Sequence, residues 1–271
     1  MAVATPPPAP AADRSWFGRR AEAGDLRLVF DPVDADREAA ARCESDVFGE
    51  RYGESRQLLD AFFAPHEAAT TWLALVDAGG TAVASARLVL PSADPLNFDV
   101  CLSGAPWGMD PATAFAACGI DRGTTWDVAS ISVRRRSRGS GALWTAALCH
   151  GLFRVAREND VSATVAVLNE PARDLLDASG IVYATVPGAS TRPFLGSPAS
   201  TPVYAEMAAL VSNQRRHFPE AHRLITLGSG LEGIQVPPAE GFRLRPRTSI
   251  DLRGSSSVSL RPRSLSGSWA G

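Results

Sequence analysis

Residues 126–168 read WDVASISVRRRSRGSGALWTAALCHGLFRVARENDVSATVAVL, and this stretch decides the fold. Trp126 to Val133 has the apolar, β-branched character of a strand. Ser140 to Glu158 has the spacing of an amphipathic helix, and Val161 to Leu168 is again strand-like. Between the first strand and the helix lies a basic turn with Gly139 and Gly141. Those glycines allow a tight turn and a close approach of backbone to a ligand. The N-terminus of the helix offers unpaired N–H groups and partial positive charge, so strand, glycine turn and helix together predict an anion site, most naturally for phosphate. The site is not a dinucleotide fingerprint, because Trp144 stands where a third glycine belongs, and it lacks the G-K-[ST] of a P-loop.

Outward from this unit, the elements alternate. Leu26–Phe30 predicts a strand and Asp34–Phe48 a helix. Thr71–Val76 and Ala82–Leu90 flank the Gly79-Gly80 turn as a hairpin. Glu170–Ala178 predicts a short helix with Pro171 in its first turn and Gly180 just past its end. Ile181–Val186 and Val203–Met207 are read as a final strand pair, and 213–227 as a closing helix broken near Pro219. The stretches 91–125 and 187–202 are read as long irregular loops. Loops of that length are usually functional, and the acceptor pocket is expected there. The fold class is α+β with three α/β/α layers: a mixed, mostly antiparallel sheet flanked by helices. Expected boundaries are a disordered Pro/Ala-rich tail at 1–24, a domain at 25–210, a helical extension at 211–236 and a Ser/Arg-rich tail at 237–271.

The bulk numbers exclude several function classes. Net charge is −2 over 271 residues, so no global basic field recruits nucleic acid. All 27 basic residues are arginine, which excludes Schiff-base and Walker-type lysine chemistry. Cys43, Cys101, Cys118 and Cys149 form no C-x-x-C pair and no zinc pattern, so no metal is expected. The start lacks the basic and apolar regions of a signal peptide, and no apolar run is long enough to span a bilayer. A cytoplasmic location is expected. Cys149-His150 is no nucleophile pair, because adjacent helical residues point apart.

Val133 followed by Arg138-Gly139-Ser140-Gly141 resembles the central V-x-x-x-x-R-G-x-G motif of the GNAT acyltransferase superfamily. Asn169, Ala172, Leu175, Leu176, Gly180 and Ile181 are similar to a second segment of that family, at a compatible distance. The resemblance covers about residues 25–210. It implies that Ile131, Ser132, Val133, Arg138, Gly139, Ser140, Gly141, Ala142 and Asn169 hold the donor. That donor is an acyl-CoA, or the phosphopantetheine of an acyl carrier protein, as cosubstrate; no cofactor is bound permanently. Leu176 stands where many members have a tyrosine as general acid. Phe48, Glu50, Arg51, Gly53, Arg87 and Trp126 also resemble positions of acyl-homoserine-lactone synthases. Glu44, Glu54, Ala129 and Ser130 depart from that pattern. An N-acyltransferase acting on a small amine, such as an amino acid, fits these residues better than a lactone synthase.

Such a reaction needs a base for the ammonium proton. Asp127 is the first candidate and Glu50 the second. A backbone N–H near Ile131–Val133 would meet the carbonyl oxygen, and Arg87 would bind a substrate carboxylate. Arg134-Arg135-Arg136 is read as a solvated patch or a contact for carrier phosphate or an acidic carrier protein. A silent acyl-CoA sensor, which the Leu176 replacement favours, and an interaction protein using its Arg/Ser tail remain open alternatives.

Overall fold

The computed structural model describes residues 26–135 and 140–246. Nine strands form one mixed sheet: β1 (Leu26–Phe30), β2 (Thr70–Val76), β3 (Ala82–Val89), β4 (Thr125–Val133), β5 (Ala163–Asn169), β6 (Ala184–Thr185), β7 (Arg192–Phe194), β8 (Ser197–Glu206) and β9 (Ile234–Gln235). Their order is β6-β8-β5-β4-β3-β2-β1-β9, with β7 pairing on β8. Pairing is antiparallel except for β4 with β5 and β1 with β9. The parallel pair at the centre needs a crossover, and helix α5 (Ser140–Glu158) supplies it.

The helices make two outer layers. Helix α1 (Asp34–Tyr52) buries Ala40 and Cys43 against Trp72, Ala74 and Val76 of β2. Leu73 and Leu75 point to the opposite face, where α5 lies. That helix comes close at Gly151, whose hydrogen leaves room a methyl group would lack: an added Cβ would sit 2.7 Å from Leu73 and 2.9 Å from Leu28. With helices on both faces, every residue of β2 and β3 is buried, so these strands read as continuous apolar runs rather than alternating ones.

The predicted elements change in five places. Helix α1 runs on to Tyr52, and a second helix, α2 (Arg56–Phe63), follows it. The stretch 91–125 is not one irregular loop; it holds α3 (Asn97–Ser103) and α4 (Pro111–Cys118). After helix α6 (Glu170–Ala178), the loop expected at 187–202 holds β7 and the first half of β8. The closing helix begins earlier than expected, as α7 (Met207–His217), breaks at Pro219 as expected, and resumes as short helical turns over Pro219–Ala221 and His222–Thr226. The tail expected from 237 is part of the fold at least as far as Arg245, which pairs with Asp31. Phe242 is fully buried and stacks with Arg154, and Asn159 of α5 bonds both Phe242 O and the Leu244 N–H. A single aromatic residue among Pro, Gly and Arg carries no periodicity, so nothing in the pattern betrayed it.

One buried ion pair fixes α1 to the sheet. Arg87 of β3 is 3% exposed and Glu44 of α1 1%, with Arg87 Nε donating to Glu44 Oε1 at 3.1 Å. Ser130 of β4 also donates to Glu44. The guanidinium lies between the rings of Phe63 and Trp72, 4.1 and 4.2 Å from their centroids. Removing one partner leaves a buried charge alone, whereas replacing both with apolar residues of similar volume does not. Glu44→Ala is therefore expected to destabilise the protein by about 3–5 kcal/mol, and Glu44→Leu with Arg87→Met by much less. Chemical denaturation of the two variants checks the ordering.

Candidate active site

The parallel pair stops early. Thr125, Trp126 and Asp127 of β4 pair with Ala163, Thr164 and Val165 of β5, and among the described residues the pairing goes no further. Beyond it β4 continues against β3, and β5 continues against β8. The two strands thus part after Asp127. A bulge at Ala129, opposite the Arg87/Leu88 step, adds to the bend. It also shifts the alternation, so that Asp127 and Ser130 both face the α1 side.

A cleft fills the opening on that side. Its walls are Asp127 and Ala129 of β4, Val167 and Asn169 of β5, Phe48 and Tyr52 of α1, Phe63 of α2, Asn97 and Phe98 of α3, and Phe194 beside the β7–β8 turn. On the opposite face of the sheet lies an apolar cavity walled by Trp126, Val128, Ile131, Cys149, Leu176 and Tyr183, among others. The two spaces flank the same divergence of β4 from β5.

Asp127 is 1% exposed. Its Oδ2 accepts the backbone N–H of Phe98 at 2.7 Å, and the Asn97 side chain also hydrogen-bonds it. Phe98 lies in the first turn of α3, where backbone N–H groups have no partner within the helix. The carboxylate takes one of them. Burial is the dominant influence and pushes the Asp127 carboxyl up to about 7; the Phe98 and Asn97 bonds act the other way, and the charge of Asp99 adds to the rise. Such a group changes protonation near neutral pH, as a general base should.

Tyr52 and Asn169 close the far end. Asn169 caps α6: its Oδ1 accepts the Ala172 N–H at 2.9 Å. Its Nδ2 is thereby turned to donate to Tyr52 OH at 2.6 Å. This bond ties the end of α1 to the end of β5. The turn after Phe194 packs onto Tyr52, at Gly196 with φ +68°, where a Cβ would lie 3.0 Å from Tyr52 Cβ. Trp107 packs against Phe194 with the rings tilted, 5.0 Å between centroids, and donates to Ser190 O at 2.8 Å, anchoring this hairpin.

The other expected residues fall as follows. Ser132 and Val133 complete β4 beyond the divergence, with Ile131 directed to the apolar cavity. Ser140, Gly141 and Ala142 form the first turn of α5, and a Cβ on Gly141 would meet only open space. Arg136, Arg138 and Gly139 lie outside the described residues. Glu50 is exposed; it lies half a turn from Phe48 and Tyr52 and so faces away from the cleft. Arg87 is also apart from it, with its guanidinium taken by Glu44 and its other edge 3.9 Å from Glu67 in a separate polar basin. Arg134 is held by Asp46 at 2.7 Å and by Ala82 O at 2.8 Å. Leu176 is buried in the core. Burial pushes the Cys149 thiol up to about 12, and His150 is committed to Ile225 O at 2.7 Å, so neither is a nucleophile here. Among the described residues there is no cluster of metal-binding side chains, and no helix is long and apolar enough to cross a membrane.

No family model matches the chain, and no curated protein does. Solved structures do. FeeM, an N-acyl amino acid synthase from uncultured soil microbes, superposes with a TM-score of 0.54 at 13% identity, covering 72% of this chain and 96% of that one. The AHL synthase LasI gives 0.47 at 14% identity, over 67% of this chain and 89% of its own. The CoA-dependent acyl-homoserine lactone synthase BjaI gives 0.44 at 13%, over 79% and 97%. The likeness to FeeM shows a shared fold.

The raised carboxyl has a thermodynamic consequence. Between its ordinary value of 3.8 and about 7, the folded protein keeps a proton on Asp127 that the unfolded chain has lost. The corresponding stability is full below the ordinary value and is lost as pH rises through about 7. Asp127→Asn keeps an acceptor for the Phe98 N–H and does not ionise. It is expected to gain on the wild type steadily as pH rises across that window, by at most ~1.4 kcal/mol for each pH step of one. Denaturant unfolding of both proteins across the window measures the gap.

Proposed function

We propose that this chain, with its GNAT-like fold, is an N-acyltransferase that moves an acyl group from a thioester carrier to the amine of a small molecule. The observation that carries the reading is the buried Asp127 at the point where β4 and β5 part. Beyond that point the facing edges of the two strands have backbone groups free to hydrogen-bond an extended carrier arm. The first turn of α5, with the open Gly141, suits the carrier's phosphates. Arg138 is proposed to assist there. An acyl-CoA and an acyl carrier protein present the same arm and thioester, and both are proposed donors.

The steps balance without a further reagent. Asp127 as carboxylate takes one proton from the substrate ammonium. The nitrogen lone pair attacks the thioester carbonyl, whose oxygen a β4 backbone N–H near Ile131–Val133 would stabilise. The C–N bond forms, the C–S bond breaks, and the thiolate leaves. The second nitrogen proton is lost and the thiolate gains one, giving an amide and a free thiol. Holding both reactants in one cleft supplies much of the rate. The cavity behind the sheet is apolar and suits the hydrocarbon part of the acyl group.

A silent acyl-CoA sensor is the second reading, favoured by the buried Leu176, which offers no proton to a leaving thiolate. Lactone synthesis is disfavoured. Two residues that depart from that pattern act together against it: Glu44 pairs with Arg87, and Ser130 donates to Glu44 and holds it there.

Incubating the protein with acyl-CoAs, acyl carrier proteins and pooled amines, with mass spectrometry for new amide and free thiol, separates these readings. The expected result is an amide whose kcat/KM rises with pH through about 7, as Asp127 loses its proton. Asp127→Asn is expected to lose that limb and about 100-fold or more in rate while still binding donor. Tight donor binding without amide would leave the sensor.

A further inference from the structure

The cleft that holds Asp127 is lined by the rings of Phe48, Tyr52, Phe62, Phe63, Phe98 and Phe194. Asp127 is the charged side chain among its described lining residues, and none of them is cationic. Arg51 lies over the Tyr52 ring, 5.8 Å from its centroid, but is exposed and is not among the lining residues; two other guanidiniums are spent elsewhere. Arg87 is paired with Glu44 and stacked on Phe63. Arg134 follows Val133, about 23 Å along the strand from Asp127 at ~3.3 Å per residue, and Asp46 holds it. From this arrangement we infer that the acceptor is an arylalkylamine without a carboxylate, its ammonium placed against Asp127 and its ring among the phenylalanines.

The inference deepens the acyltransferase reading and rests on it for the reaction, though not for the binding. A cation held by one carboxylate and surrounded by aromatic faces is well served, since the ring faces are themselves electronegative. An α-amino acid is not. Its carboxylate lies two bonds from the amine, so it would be buried beside Asp127 with like charge and no cation among the described lining residues to meet it. Burial acts on both partners of the amine complex in a useful direction. It raises the carboxyl, as seen at Asp127, and lowers the ammonium, bringing the proton transfer closer to balance. The ring pocket also explains why α2 and α3 are built as they are. Their buried phenylalanines, Phe63 and Phe98, face the cleft rather than only the sheet.

The test uses matched pairs on the full-length protein: phenethylamine against phenylalanine, and tyramine against tyrosine, with hexylamine as the non-aromatic control. Binding by calorimetry without donor is measured first, and acylation with the best acyl donor second. The inference expects each amine to bind about 100-fold or more tightly than its amino acid, and the aryl amines more tightly than hexylamine. In Asp127→Asn the preference for the amine should largely disappear, while a Glu50→Gln variant should keep it. Amino acids binding as well as or better than the amines would overturn the inference, as would no binding of either. Tight amine binding with no amide from any donor would support the amine site while refuting the acyltransferase reading.

Discussion

The site depends on a strand pair that is allowed to pair at only three positions. Parallel strands joined by a helix would ordinarily run together for their whole length. Here β4 and β5 part after Asp127 and Val165, because each has a different partner to follow: β4 stays with β3 and β5 stays with β8. The bulge at Ala129 helps β4 turn away. The cost is that, among the described residues, the two strands share no ladder beyond this point in the middle of a sheet. The gain is a cleft through the layer that is otherwise most tightly packed, with a carboxylate at its apex.

The rest of the molecule keeps that cleft open and dry. The Arg87–Glu44–Ser130 network holds α1 down on β3 and β4, so that Phe48 and Tyr52 reach the opening from a fixed helix. The Asn169–Tyr52 bond pins the end of that helix to the end of β5. Helix α3 covers Asp127 and gives it one N–H. The same covering excludes water, and exclusion of water is what lifts the carboxyl toward neutrality. Structure and reactivity are therefore one effect here, since loosening the lid would both wet the cleft and return Asp127 to an ordinary carboxylate.

Much of this was legible in the sequence where local signals are strong. The bounds of β1, α5 and α6 follow directly from periodicity, Pro171 and Gly180, and the glycine hairpin marks β2 and β3. Asp127 was marked by the family resemblance, as an acid on the central strand. The covering elements were not legible. Helix α3 is seven residues long, and it lies among prolines that signal loop. Strand β7 has only three residues and exists through its pairing with β8. The fate of Arg87 was hidden for another reason. A strand arginine looks like a binding group until Glu44, 43 residues earlier, is seen to close on it. Pairing at such separation leaves no local pattern. Glu50 misled similarly, since helical phase relative to the cleft decides its direction and sequence alone does not say where the cleft is.

The central claim is that an amine meets a thioester at Asp127, between β4 and β5. The most direct measurement is a crystal structure with a bisubstrate analogue, in which the sulfur of coenzyme A is joined through an acetyl group to the nitrogen of phenethylamine. The account predicts the linking amide nitrogen within hydrogen-bond distance of Asp127, the carrier arm between the diverging strands, and the ring among Phe48, Phe63 and Phe98. An analogue seated elsewhere, with β4 and β5 closed or the cleft empty, would contradict it.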